Sequence, residues 1–105
     1  MITQQIQRAI EEKRLLSFTY SRYPRTVEPH VLGVIDHKKQ LLAYQVGGSS
    51  SGGPGSLPDW RKFDLPKIGG LTVLDETFAG PRPTPTGQHV EYDQILAIVS
   101  PGWLG

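Results

Sequence analysis

Two arginines, Arg25 and Arg61, each stand two residues before an apolar residue of a predicted strand. Side chains two positions apart lie on the same face of a strand, so the arginines share the faces of Val27 and Phe63, which should point into the core. A guanidinium cannot stay unpaired among apolar side chains, so each must reach the rim of the core or meet an anion. Its planar donor fork suits phosphate or carboxylate. The spacing therefore predicts an anion-binding cleft.

Aromatic and basic residues extend this candidate cleft. Tyr20 and Tyr44 end predicted strands and offer stacking faces, and Lys67 adds a charge from a following turn. Basic groups interleaved with aromatic rings are typical of sites for nucleotides and single-stranded nucleic acid. The predicted ligand-binding residues are therefore Arg61 as the principal contact, assisted by Arg25, Tyr20, Tyr44 and Lys67.

A second interpretation gives these residues purely structural roles. The arginines would form intramolecular ion pairs with Glu28, Asp64 or Glu76, the tyrosines would be core residues with surface hydroxyls, and Lys67 would be a solvated turn residue. The chain would then be a protein-interaction barrel that uses an edge strand or its C-terminal tail. Convergence of Arg25, Arg61 and Lys67 in one cleft discriminates between the two interpretations.

Several kinds of chemistry find no support in the sequence. There is no cysteine, hence no disulfide, thiol nucleophile or thiolate ligand. His30, His37 and His89 are too scattered for metal-ligand spacing, and we expect them in loops. The serines lack a nucleophile-elbow motif, and Gly69-Gly70 lacks the phosphate-binding-loop pattern. We therefore predict a non-enzymatic protein without a metal or cofactor.

Length and composition bound the fold. The chain has 105 residues, which suffices for one domain. Its formal net charge of +1 excludes a general polycation. No apolar run is long enough to span a membrane, and no secretory signal pattern opens the chain, so we expect a cytoplasmic protein. The 12 glycines and 9 prolines favour short strands joined by turns over a helical bundle.

Periodicity predicts a single helix followed by strands. Residues 2–13 carry one apolar stripe of Ile2, Ile6, Ala9 and Ile10, after which the period changes to two. Pro29 should mark a bulge, bend or edge, and the β-branched end of the chain favours a last strand. The predicted strands cover 15–20, 25–35, 40–46, 60–65, 71–74 and 95–99, with turns at 21–24, 36–39 and 66–70, a flexible loop at 47–58 and a Pro-rich connector at 80–87.

Five short motifs occur in a familiar order. They are F-x-Y at Phe18 and Tyr20, R-x-V-x-P at 25–29, L-x-A-Y at 41–44, R-x-F-x-L with a basic-Ile pair at 61–68, and L-x-V-L-x-E-x-F at 71–78. In this order they resemble the bacterial WYL domain over residues 2–78. The family's Trp-Tyr-Leu triplet aligns with Lys39-Gln40-Leu41, the basic-Ile pair has Lys67 in place of Arg, and the loop after Tyr44 is longer than usual.

The resemblance implies a small Sm-like, Src-homology-3-like β-barrel with a ligand-sensing, regulatory role, in which Arg61 occupies a family arginine position. It implies a barrel domain at 1–79. Residues 80–105 have no counterpart in the family, and we expect them to form the Pro-rich connector and a C-terminal extension that packs on the barrel. We expect a divergent, stand-alone domain without the helix-turn-helix of other members. From the residues and the resemblance together, the candidate partners are a nucleotide or single-stranded nucleic acid, a transcription-regulatory protein and a second copy of the chain.

Overall fold

A computed structural model describes residues 2–48, 59–82 and 92–99. One helix precedes six strands in these ranges, so the predicted fold class, mainly β with an N-terminal helix, is confirmed. The elements are α1 (Ile2–Glu12), β1 (Arg14–Tyr20), β2 (Tyr23–Ile35), β3 (Lys38–Gly48), β4 (Asp59–Asp64), a short 3₁₀ helix (Leu65–Lys67), β5 (Gly69–Thr77) and β6 (Gln94–Ile98).

The strands form one strongly bent antiparallel sheet. Its order is β4-β3-β2-β1-β5, and β6 pairs with β2. In a flat sheet β4 and β1 would lie about 14 Å apart, at three strand spacings. The ring centroids of Phe63 in β4 and Phe18 in β1 are nevertheless only 4.9 Å apart. The sheet therefore bends around its own core, which brings residues of distant strands together.

The helix covers this core with the apolar stripe expected from its sequence. Ile6, Ala9 and Ile10 are fully buried, and α1 packs against β1, β2, β5 and β6. The helix ends at Glu12, because the left-handed φ of 56° at the next residue, Lys13, breaks the helical path. Within the described ranges no helix is long and apolar enough to cross a membrane.

Strand β2 changes register in its middle, where Pro29 predicts an irregularity. Pro29 pairs with Ala43 and Val31 with Leu42, so His30 is an extra residue with no partner position in β3. Val27 and Leu32 both belong to the main core although they are five residues apart. The extra residue therefore shifts the alternation, and the predicted bulge is confirmed.

Two predicted turns are shorter in the structure than expected. Ser21 and Arg22 both have positive φ, as do Asp36 and His37, so each pair forms a two-residue hairpin turn of the type whose twist matches the strands. The predictions of turns at 21–24 and 36–39 are therefore wrong at their ends. Pro24 lies in β2, and Lys38-Lys39 begins β3.

Other boundaries also differ from the predictions. Strand β5 runs over Gly69–Thr77, and β3 continues to Gly48, into the predicted loop 47–58. The remainder of that loop, most of the Pro-rich connector and the end of the predicted C-terminal extension lie outside the described residues.

Strand β6 confirms the predicted last strand and lies beside the second half of β2. Just before it, Tyr92 lies directly over Gly33 of β2, and its hydroxyl donates to Gln40 Oε1 over 3.0 Å. The division of the chain at residue 79 stays a prediction.

The close approach of Tyr92 makes Gly33 sensitive to any added side chain. A Cβ at Gly33 would meet three Tyr92 carbons within 3.0 Å, so we expect Gly33→Ala to lower the free energy of unfolding by about 1–3 kcal/mol, as overpacking does. Gly47→Ala is the matched control, because a Cβ there meets only ordinary contacts with Thr26. Urea denaturation of both variants checks this, and an equal loss in the two would contradict it.

Candidate anion-binding site

Arg25 is a buried guanidinium held by neutral acceptors. It is 7% exposed, Nη1 donates to Gln45 Oε1 over 3.2 Å, and Nη2 donates to the carbonyl oxygen of Tyr20 over 3.2 Å. Its Nε is buried without a hydrogen-bond partner. Within the described ranges, none of the ion pairs supplies a carboxylate to Arg25. A buried cation without a counter-ion is unfavourable, so this position favours an incoming anion.

Arg61 adds a second positive charge beside the first. It pairs with Ala43 of β3 and has the phase of Phe63, as its spacing predicts, so its side chain lies on the concave side of the sheet. Burial lowers the pKa of Arg25 from its ordinary value, and the charge of Arg61 lowers it further. The Phe63 ring lies 5.8 Å from the Arg25 Cζ, and Arg61 stands two residues from Phe63 on the same face, so the two positive charges share one concave surface. An anion placed between like charges lowers their repulsion.

Tyr20 and Phe63 form the apolar wall of this site. Their rings meet edge to face at 5.0 Å, and the Arg25 Cζ lies 5.7 Å from the Tyr20 centroid and 5.8 Å from that of Phe63. The hydroxyl of Tyr20 accepts the Asp64 N–H over 3.1 Å. Tyr20 is thereby fixed in orientation by packing and one hydrogen bond, and it limits the site on the β1 side.

Lys67 lies next to this wall with a carboxylate partner. Its Nζ is 3.7 Å from Asp64 Oδ2, and its side chain is 69% exposed. Exposed ion pairs of this kind contribute little to stability. Asp64 also accepts a hydrogen bond from Gln40 over 3.1 Å. Lys67 is therefore placed near the site with a solvated charge that Asp64 partly compensates.

Tyr44, the remaining predicted site residue, lies on the opposite face of the sheet from Arg25 and Arg61. Its neighbours Ala43 and Gln45 are fully buried on the concave side, whereas Tyr44 alternates to the outer face, opposite Glu28. There its ring meets Trp60 at 5.3 Å. The structure thus brings Arg25, Arg61 and Tyr20 together, with Lys67 at their edge, and separates Tyr44 from them.

The outer face carries a second group of polar and aromatic residues that sequence reasoning missed. We call it the outer cluster; its members are Glu28, His30, Tyr44, Trp60, Phe78 and Arg82. Arg82 donates from Nε and Nη2 to the two carboxylate oxygens of Glu28, over 2.6 and 3.0 Å. These hydrogen bonds raise the pKa of Arg82. Glu28, one of the three carboxylates that the structural interpretation offered to Arg25 and Arg61, is therefore paired with Arg82.

His30 is buried in the outer cluster, so the expectation of a loop position is wrong for it. It is fully buried between the rings of Trp60 at 4.8 Å and Phe78 at 5.5 Å. Its Nε2 accepts the backbone N–H of Arg82 over 3.2 Å, so its Nδ1 carries the proton and donates to the Glu28 carbonyl over 2.8 Å. Burial is the main cause that lowers the pKa of His30 below 6.5.

The outer cluster left only a weak signal in the sequence. Glu28 alternates with Val27, and Trp60 alternates with Arg61, so both could be placed on the face opposite the core. Nothing in the spacing placed Arg82, which lies in the predicted Pro-rich connector. In the part of the chain that the structure describes, no three His, Cys, Asp or Glu side chains come together as a metal site would need.

Comparison with known proteins identifies a shared fold. No protein-family model matches the chain, and no curated protein matches it either. The fold is similar to part of proteasome accessory factor B/C (PafBC) of Arthrobacter aurescens, with a TM-score of 0.64 and 21% identity over 85% of this chain. The match spans 14% of that chain. At this identity the likeness shows a shared fold.

The buried, neutral state of His30 predicts a pH-dependent stability. Because its pKa in the folded state lies below 6.5, the unfolded chain takes up the proton first. The stabilisation is complete above about pH 6.5 and is lost as the pH falls through the folded-state pKa. We expect this one group to contribute a slope of at most about 1.4 kcal/mol per pH unit. Urea denaturation between pH 7.5 and 5 measures it.

Two histidine variants separate this effect from the titration of carboxylates. His30→Gln should flatten the pH dependence, whereas His37→Gln, at the exposed β2–β3 turn, should keep the wild-type slope. NMR titration of the His30 ring in the wild-type protein gives an independent measurement. A midpoint at or above 6.5 would show that the neutral form is not favoured.

Proposed function

We propose that this chain is a non-enzymatic regulatory binding module that takes an anionic ligand, a nucleotide or a single-stranded nucleic-acid fragment, between Arg25 and Arg61. The observation that carries the proposal is the pair of neighbouring guanidinium groups, one of them 7% exposed and held by neutral acceptors alone in the described part of the chain. Folding has brought like charges together at a cost that an anion offsets.

The donors still available at the site favour a phosphate group. Arg25 has two hydrogen bonds, both to neutral oxygens, and its Nε lies buried without one. A phosphate has several acceptor oxygens and up to two negative charges. It can therefore accept hydrogen bonds from two planar guanidinium groups, which suits this pair better than a single point charge does. Tyr20 and Phe63 next to the Arg25 guanidinium provide an apolar surface for a base or sugar.

The family resemblance of the sequence motifs gives this proposal its regulatory context. The fold likeness to part of PafBC agrees with a WYL-like fold. Together with the sequence motifs, this supports assignment of the chain to the WYL family as a divergent member. Within the proposal the module acts without a cofactor, binds its ligand without converting it, and passes the signal to a transcription-regulatory partner or to a second copy of itself.

Arginine substitutions test the site directly. Arg61→Lys keeps the charge but removes the planar fork, so we expect affinity for a phosphate ligand to fall by roughly 1–3 kcal/mol, which is about 5- to 150-fold. Arg25→Lys should lose a similar amount. Fluorescence anisotropy with a labelled hexathymidylate and with a dinucleotide, each at two salt concentrations, measures the affinities. Binding of the oligonucleotide should weaken as salt rises.

Arg8→Lys is the matched control, because Arg8 lies on the exposed side of α1 in an ion pair with Glu12. It should bind like the wild-type protein. Circular dichroism should find Arg61→Ala folded. If the wild-type protein binds no anionic probe and Arg61→Ala unfolds, Arg61 is a structural residue, and a protein-interaction barrel becomes the better account.

A further inference from the structure

Glu28 is a deeply buried carboxylate whose partner comes from outside the sheet. Its side chain is only 8% exposed, and both of its oxygens are taken by the guanidinium of Arg82. Two parallel hydrogen bonds between a carboxylate and an arginine are among the strongest polar contacts in proteins. An uncompensated carboxylate at such a depth is strongly unfavourable. This position therefore requires a cation with a planar donor fork.

The walls of this position are built by the sheet. Tyr44 lies opposite Glu28 in the β2–β3 pair and opposite Trp60 in the β3–β4 pair, so strand pairing fixes all three. The Cζ of Arg82 lies 4.5 Å from the Tyr44 ring centroid, within the range of a cation–π contact. Carboxylate and aromatic face thus form a preorganised receptor for a guanidinium group.

Arg82, which occupies this receptor, belongs to a segment without regular secondary structure. Residues 79–82 follow the end of β5 and belong to no helix or strand, and the side chain of Arg82 is 46% exposed. Its backbone N–H donates to His30 Nε2 over 3.2 Å. The sheet therefore recognises an arginine in two ways, through its side chain and through the N–H of its own peptide group.

We propose that Glu28, Tyr44 and His30 form a binding site for an arginine residue of a partner protein, and that Arg82 fills this site within the same chain. Binding of the partner exchanges one arginine for the other, so Glu28 is never left without a cation. The exchange releases segment 79–82 from the outer face. This site lies on the opposite face from Arg25 and Arg61 and does not depend on the proposed function.

Removal of the internal occupant tests the site. We expect Arg82→Ala to lower the melting temperature and to bind a peptide of residues 79–84, with its arginine, at least about ten-fold more tightly than the wild-type protein, where tethered Arg82 competes. A peptide concentration ten-fold above its dissociation constant should raise the melting temperature of the variant by about 5 °C. Calorimetric titration and thermal denaturation measure the two effects.

Three controls define the specificity of this site. The same peptide with citrulline in place of arginine keeps the shape without the charge, and it should not bind. The double variant Glu28→Gln with Arg82→Ala removes the carboxylate and should bind neither peptide. Arg8→Ala deletes an exposed arginine of α1 and should gain no affinity over the wild-type protein.

The peptide titration can still be carried out if Arg82→Ala does not fold. If Arg82→Ala is unfolded on its own, the same titration is followed as recovery of the β-sheet circular dichroism signal, and Arg82→Lys, which keeps a charge but loses the fork, provides a second vacated site. Recovery with the arginine peptide alone supports the proposal. Equal effects of the arginine and citrulline peptides, or no binding to either variant, would overturn it.

Discussion

One extra residue in β2 decides which side chains each half of that strand turns inward. Before His30, Arg25 and Val27 lie on the concave side. After it, Leu32 lies on that side although it is five residues from Val27, where regular alternation requires an even number. Without the shift, a 13-residue strand could not pair with β3 throughout and still bury apolar side chains at both ends. The same residue places an imidazole among aromatic rings on the outer face. Core, anion site and outer cluster all depend on it.

Each face of the sheet buries one charged side chain, and the two charges have different partners. On the outer face Glu28 is buried and Arg82 reaches it from outside, so charge is compensated within the chain. On the concave face Arg25 is buried and its described partners are the neutral oxygens of Gln45 and Tyr20. On the concave face, Arg25 and Arg61 place two like charges on one surface, and the proposed anion binding rests on this arrangement.

Sequence periodicity predicts the features of this structure that depend only on neighbouring residues of one helix or strand. The apolar stripe of α1 and the shared face of Arg61 and Phe63 follow from side-chain geometry alone, and both predictions agree with the structure. The placement of Tyr44 failed because ending a strand says nothing about which face a residue takes. Arg82 could not be found because its partner Glu28 is 54 residues away. The hairpin turns were misjudged because Ser21-Arg22 and Asp36-His37 adopt left-handed conformations without glycine.

The candidate anion site and the outer cluster both include residues of the β3–β4 pair, which alternate between its two faces. Gln45 and Arg61 face the concave side, and their chain neighbours Tyr44 and Trp60 face outward. Strand pairing holds Tyr44 opposite Trp60 and Ala43 opposite Arg61, so the β3–β4 pair is a shared wall. A displacement of β4 along β3 changes the separation of the two guanidinium groups and the aromatic wall around Arg82 together. The geometry of one site therefore constrains that of the other through backbone hydrogen bonds, without any side chain common to both.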